Sequence, residues 1–470
     1  MSSIRSGARI SCVAIIGAVI AGCGGGQNMA ALVPAVAFLS PSQAQTIALG
    51  QAVHLQWATD NVTSCVASTA TAAAGDFTGA QPAAGSAVIA PTAVGTFSYA
   101  LSCTGPHGSA VGKSMAVTVN PSILSTLSVT KIATIGSTID PIEHGGNPYG
   151  LAIASATAGL VMAGDLIVCN FNDGATNTQG LGTTVIGLHP AAGSTPYRIA
   201  QSASLQGCNA VTALADGSIA AAAWTANANP LIASSGAVSD PFSVGVGGFD
   251  RPWGEVYVPA TAQNGPAIYF SNFAGSIHRI SLDNDVQTTS TEIVKGFCTS
   301  GAPGAIFAPS GLTYDALVDT LYVVDTSSNS VVAIADVSSI GADGIVVNGQ
   351  CASVGSPPTP APTFAGPSAA SARVIAHGGG FIAPISAALL SNGDLVVGNG
   401  DINISTGQMA NLLFEISPVL SGGFVGEPVQ LDTSGTPGAL FGIATAVDGS
   451  GNQLIYFNDD NTNTVMLLTK

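Results

Sequence analysis

At 470 residues the chain is long enough for two or three domains with substantial cores. Only 8% of its residues are charged, the formal net charge is −16, and no basic block occurs; nucleic acid is therefore excluded as a partner, because phosphate neutralisation needs clustered Lys and Arg. The mean hydropathy of +0.46 does not mark a membrane-spanning chain, since past residue 22 no apolar run reaches the roughly 18–20 residues of a spanning helix. Short apolar runs broken by Gly, Asn and Asp read instead as strands and turns.

The chain opens with Arg5 and Arg9 ahead of the apolar run Val13 to Ile20, with no acid before Asp60. That is the layout of a secretory signal over residues 1–22. Ile20-Ala21-Gly22-Cys23 follows directly and resembles the bacterial lipobox. The resemblance implies lipidation of Cys23 and a membrane partner through that lipid. In lipoproteins of this kind an Asp after the Cys favours inner-membrane retention. Gly24 in its place implies a lipid-anchored, extracytoplasmic protein of the outer membrane or cell surface. Residues 23–31, beginning Gly24-Gly25-Gly26 after the Cys, read as a flexible tether.

Residues 32–120 carry several short strand patterns, among them the alternating Val53-His54-Leu55-Gln56-Trp57, then Thr96 to Leu101 and Met115 to Val119. So many short strands in so short a stretch predict a β-sandwich. Leu55-Gln56-Trp57 through Cys65, with Tyr99 through Cys103, resembles bacterial immunoglobulin-like modules carrying a paired Cys. Such modules act as spacers or adhesive units. Trp57 precedes both cysteines rather than standing between them, so the bridge need not join the two strands it joins in antibody domains. His54 and His107 read as solvated or packed residues rather than ligands.

From residue 122 to 470 a five-residue phrase recurs, three or four apolar residues closed by Asn or Asp. It ends at Asn170, Asn272, Asp325, Asn399 and Asn458, with a degenerate copy, Ile219 to Ala223, in the one gap. The spacing of about 50 residues marks a repeat architecture. Before the phrases stand Pro-x-Gly-like turns: Pro148-Tyr149-Gly150, Pro252-Trp253-Gly254, Pro309-Ser310-Gly311, and more loosely Pro384-Ile385-Ser386 and Leu440-Phe441-Gly442. Strand, turn, strand, turn, strand at this period predicts six propeller blades, so the fold class is all-β, a sandwich plus a six-bladed β-propeller. Pro309 to Ile334 resembles NHL-type propeller repeats, which the other blades follow less well. One step is long because of Ser356 to Pro362, a proline-rich surface excursion from blade four that is barred from a central strand. The stretch Ser128 to Ala133 is expected to close the ring as the outer strand of blade six.

Six cysteines remain besides Cys12 and Cys23, and an oxidising compartment favours three bridges. Cys65 with Cys103 lies within one small domain. Cys169 and Cys208 lie towards one face, and Cys298 and Cys351 are one blade step apart, which leaves open whether they are close enough to bridge. The candidate ligand face is the one bearing His144, Asn170, Asp250, Glu255, Asn272, Asp325, His377, Asn399 and Asn458. A ring of such oxygens suits Ca²⁺, or a protein or glycan ligand. Strand-end Asn and Asp also cap turns, which accounts for the same residues without a ligand. Glu255, just inside an inner strand, is the acid best placed to face the channel; the alternative is that it is paired with Arg251 or solvated. On the opposite face, turns such as Ser391-Asn392-Gly393 answer to backbone geometry alone. No catalytic fingerprint, metal or cofactor motif is evident. The reading is a non-catalytic binding or scaffold module acting through that face; the alternative is a metal-dependent propeller enzyme, lactonase- or lyase-like.

Overall fold

The computed structural model describes residues 33–470, apart from 107, 109, 128–130, 241–247, 261–263, 284–285, 303–304, 352–359, 400–410, 421 and 432–439. The expectations placed on residues 1–32, Cys23 among them, and on His107 lie outside the described residues. None of the described helices is long and apolar enough to cross a membrane.

The first unit packs two sheets face to face. One joins Ala35–Ser40, Val53–Asp60 and Ala84–Ile89; the other joins Gln45–Ala48, Ala110–Asn120, Gly95–Thr104, Ser64–Thr69 and Gly79–Gln81. Alternation along Val53–Asp60 sends Val53, Leu55 and Trp57 inward. They meet Phe77, Tyr99, Leu101 and Val117 in one core. Cys65 and Cys103 face each other directly across neighbouring strands of the larger sheet and are bridged, with Cα atoms 4.0 Å apart. The bridge therefore lies within one sheet rather than between the two.

Six sheets follow, one per blade, each built on four antiparallel strands. Their inner strands are Gly146–Ile153, Cys208–Ala213, Pro252–Val258, Pro309–Asp315, Pro384–Leu389 and Ile443–Val447. Second strands such as Leu166–Asn172 and Ile219–Ala223 are buried at every position. Each is covered on both faces by a neighbouring blade, which is why the recurring phrase is apolar throughout rather than alternating. The glycine of the Pro-x-Gly turn has a packing cause. Inner strands approach so closely around the axis that a Cβ on Gly150 would lie 2.8 Å from Ala210 Cα, and one on Gly311 2.6 Å from Ser386 Cα.

Ring closure uses Ala133–Ser137, which pairs with Thr464–Leu468 as the fourth strand of blade six. Of the expected Ser128 to Ala133, Ser128 to Thr130 lie outside the described residues, and the described strand begins at Ala133. Ile135 is the residue that reaches the core between blades six and one, whereas the chain just ahead forms a short helix, Ile123–Thr126. The excursion leaves blade four between its third strand, Ser330–Ala335, and its outer strand, Ala372–His377, and Ser356 to Thr359 within it lie outside the described residues. It returns to blade three, where Ile345–Asn348 and Thr363–Ala365 extend that sheet to six strands. This return settles the third bridge: Cys351 reaches Cys298, at a Cα distance of 5.3 Å. Cys169 and Cys208 are also bridged, tying blade one to blade two.

Candidate functional site

The upper face, where the inner strands begin, brings the repeated Asn and Asp together in sequence register but engages their side chains. Asn170 donates to the Thr138 carbonyl (2.9 Å) and Asn458 to the Gly150 carbonyl (3.0 Å). Asn272 accepts from the Asp250 amide (3.1 Å) and donates to the Gly248 carbonyl (2.8 Å). Asp325 accepts from Ser327 and Ser328, and Asn399 accepts from the Ile382 amide (2.6 Å). All five are buried; each fastens the end of a second strand to a neighbouring loop or inner strand. Burial pushes the Asp325 carboxyl up, against the opposing serine donors.

The other residues of that face are spread out. His144 is exposed on a turn with φ 59°. Asp250 is exposed and pairs with Arg251 at 3.1 Å. The Arg251 guanidinium in turn lies over Phe273, 4.1 Å from the ring centre. His377 ends the outer strand of blade four opposite Ser330, away from the axis. Glu255 is neither paired with Arg251 nor solvated: it is buried and accepts a hydrogen bond from Asn229.

An aromatic layer closes the axis at this end. Tyr149 is stacked between Phe171 (4.4 Å) and Phe441 (3.9 Å), with Trp253 edge-on to Tyr149 and to Trp224. All are buried. The signal was present in the sequence, because the middle residue of the Pro-x-Gly turn is aromatic in Tyr149, Trp253 and Phe441. Among the described residues no three His, Cys, Asp or Glu side chains gather into a metal-ligating group.

The lower face holds a recess that the sequence reading passed over. The sandwich rests against blade five there: Gln51 donates to the Asn392 carbonyl, and Ser417 donates to the Gly50 carbonyl. Beside this junction lies a cleft of about 460 Å³. Its walls include His54 of the sandwich, Asp315 and Arg373 of blade four, and Asp394 of blade five. Apolar area comes from Val318, Ala335 and Val419. Asn392, in a turn expected to answer to backbone geometry alone, forms part of the wall. Asp394 and Glu415 hydrogen-bond each other beneath it, and Glu415 also accepts from the Leu124 amide at 2.7 Å. Burial, then the Glu415 charge, push the Asp394 carboxyl to about 8, against donors on Ser417 and Asn392. Nothing in the sequence near Asp394 or Glu415 signals this pairing, because it depends on two lower-face strands and a linker nearly 300 residues away.

No protein-family model and no curated protein matches the chain. Solved structures similar to it include a catalytically inactive virginiamycin B lyase from Staphylococcus aureus with quinupristin. That likeness has 14% identity and a TM-score of 0.41, covering 72% of this chain and 99% of that one. A gluconolactonase from Xanthomonas campestris is 14% identical with a TM-score of 0.42, over 71% of this chain and 88% of that one. The extracellular domain of a one-component system from B. thetaiotaomicron is 12% identical with a TM-score of 0.35, over 69% of this chain and 38% of that one. Likenesses this weak carry no chemistry across; the six blades rest on the chain's own sheets.

Proposed function

We propose that the protein is an extracytoplasmic, lipid-anchored binding module that holds its ligand in the cleft between the sandwich and the lower face of blades four and five. The observation that carries this reading is the cleft itself. Its volume of about 460 Å³ falls in the range of small-molecule sites, and such sites favour domain junctions where a few polar groups converge on an apolar wall. Asp315, Asp394, Arg373 and His54 are the polar groups; Val318, Ala335 and Val419 supply the apolar surface. The ligand class that fits is a small amphipathic molecule, such as a glycan or short peptide with charged ends. The upper face, by contrast, presents a mouth filled by buried aromatic rings. Three disulfides accord with an oxidising compartment. Anchoring through Cys23, outer-membrane sorting and an immunoglobulin-like spacer role for the sandwich belong to the same reading.

The test screens oligosaccharides and short peptides for a shift in unfolding temperature. Val419, half-exposed in the cleft wall, is changed to Trp to fill the space. The reading expects Val419→Trp to abolish the response while leaving the unliganded melting temperature unchanged. A response that survives Val419→Trp but disappears in His144→Ala with Asp250→Ala would move the site to the upper face and overturn the proposal.

A further inference from the structure

Beneath the aromatic layer the propeller axis opens into a space of about 80 Å³. Its walls come from corresponding positions of the six inner strands. Directly after the glycine position of each blade stand Leu151, Val211, Glu255, Leu312, Ala387 and Ile443. Five of the six are apolar and pack between blades; blade three alone supplies an acid. Opposite it, the second strand of blade two is Ile219–Ala223, alanine at every position but the first. The one degenerate copy of the recurring phrase thus provides small side chains beside the one carboxyl of that layer.

The hydrogen bonds around Glu255 are incomplete. Asn229 Nδ2 donates to Glu255 Oε2, while Glu255 Oε1 is buried with no protein partner. Asn209, one layer above on blade two, donates through Nδ2 to the Pro252 carbonyl at 3.1 Å, and its Oδ1 is likewise buried and unmet. The serines of the same layer are already committed. Ser310 donates to the Val324 carbonyl (3.1 Å), and Ser386 donates to the Phe441 carbonyl. No Lys, Arg or His lines the space, and Arg251 is occupied by Asp250 and Phe273. Two residues that line this space thus each carry a buried acceptor with no protein donor, and no positively charged side chain lines it. Buried acceptors left unmet are costly, and a buried carboxylate is more so.

We propose that this space is a binding site for a monovalent cation, held by Glu255 Oε1 and Asn209 Oδ1. A single positive charge balances the one carboxylate. A divalent ion would carry an uncompensated charge into the core, since it normally gathers several carboxylates, and no such group exists among the described residues. Sodium, potassium and ammonium share the required chemistry. Binding exchanges a proton for the cation: the Glu255 carboxyl, pushed to about 8 by burial against the Asn229 donor, releases its proton as the ion enters. Affinity should accordingly rise about tenfold per pH unit until that value and then level off. The site is independent of the cleft, and neither proposal needs the other.

Thermal unfolding of the full chain, disulfides intact, at fixed ionic strength provides the test, with choline chloride exchanged stepwise for sodium, potassium or ammonium chloride. One of the three should raise the melting temperature saturably at about pH 9, with an apparent affinity about a hundredfold weaker at about pH 6. Glu255→Gln should remove the response, and Asn209→Ser should weaken it. A thallium(I)- or rubidium-soaked crystal should show an anomalous peak beside Glu255 Oε1, a readout that stands even if a variant fails to fold. Equal melting in all four salts with no such peak would overturn the proposal and leave Glu255 as a neutral, hydrated acid. A response to calcium alone would overturn it equally.

Discussion

Replacing Asp394 with Asn tests whether the carboxyl pair beneath the sandwich stores a proton. Burial pushes the Glu415 carboxyl up, and the Ile123 and Leu124 amides, which it accepts from at 3.2 and 2.7 Å, oppose that by favouring its charged form. Asp394 is then the partner that keeps the proton, and burial with the Glu415 charge raises it to about 8. An unfolded Asp titrates near about 3.9. Between these values the folded state binds the extra proton, so unfolding free energy falls as pH rises. The stabilisation is complete below the unfolded value and gone above the folded one. From about pH 5 to about pH 7 this single group accounts for roughly 3 kcal/mol. An Asn side chain keeps a donor for Glu415 but has no proton to lose. Urea unfolding with disulfides intact, followed by the fluorescence of Trp224 and Trp253, measures both proteins at several pH values. The variant should gain on the wild type by on the order of 3 kcal/mol across that window. Parallel pH profiles would refute the shared proton.

Two further outcomes follow from the way the ring is held. Ile135, fully buried between blades six and one, should cost about 2–5 kcal/mol when changed to Ala; a variant that melts like the wild type would show that the strand Ala133–Ser137 does not close the ring. The Cys298–Cys351 bridge spans 53 residues, and the chain-entropy treatment gives such a loop about 4 kcal/mol. The double Ser variant should expose the excursion within blade four to protease before the rest of the chain, and cleavage elsewhere first would contradict its attachment to blade three.

What the sequence determined by itself was whatever repeats locally. The recurring phrase reports second strands, because a strand covered on both faces is apolar wherever it occurs. Pro-x-Gly reports inner strands, because a Cβ there would strike the next blade. Those two signals, counted along the chain, are enough for six blades, and the spare residues ahead of Gly146 are enough for closure from the start of the domain. The Cys65–Cys103 pair was legible because both lie within one small domain, whereas Cys298–Cys351 was decided only by the return of the chain to blade three. The tertiary structure decided everything that joins residues without a shared period. Asn209, Asn229 and Glu255 come from three different segments, and only the alanine strand of blade two makes room for them. Gln51 meets Asn392, and Leu124 meets Glu415, across nearly 300 residues or more. The excursion within blade four could have remained on its own blade or returned to blade three, and its proline-rich sequence fits either course. Period and alternation record how a strand is covered; they hold no information about which distant side chain completes a buried hydrogen bond, since that depends on where the ring and the sandwich place both partners.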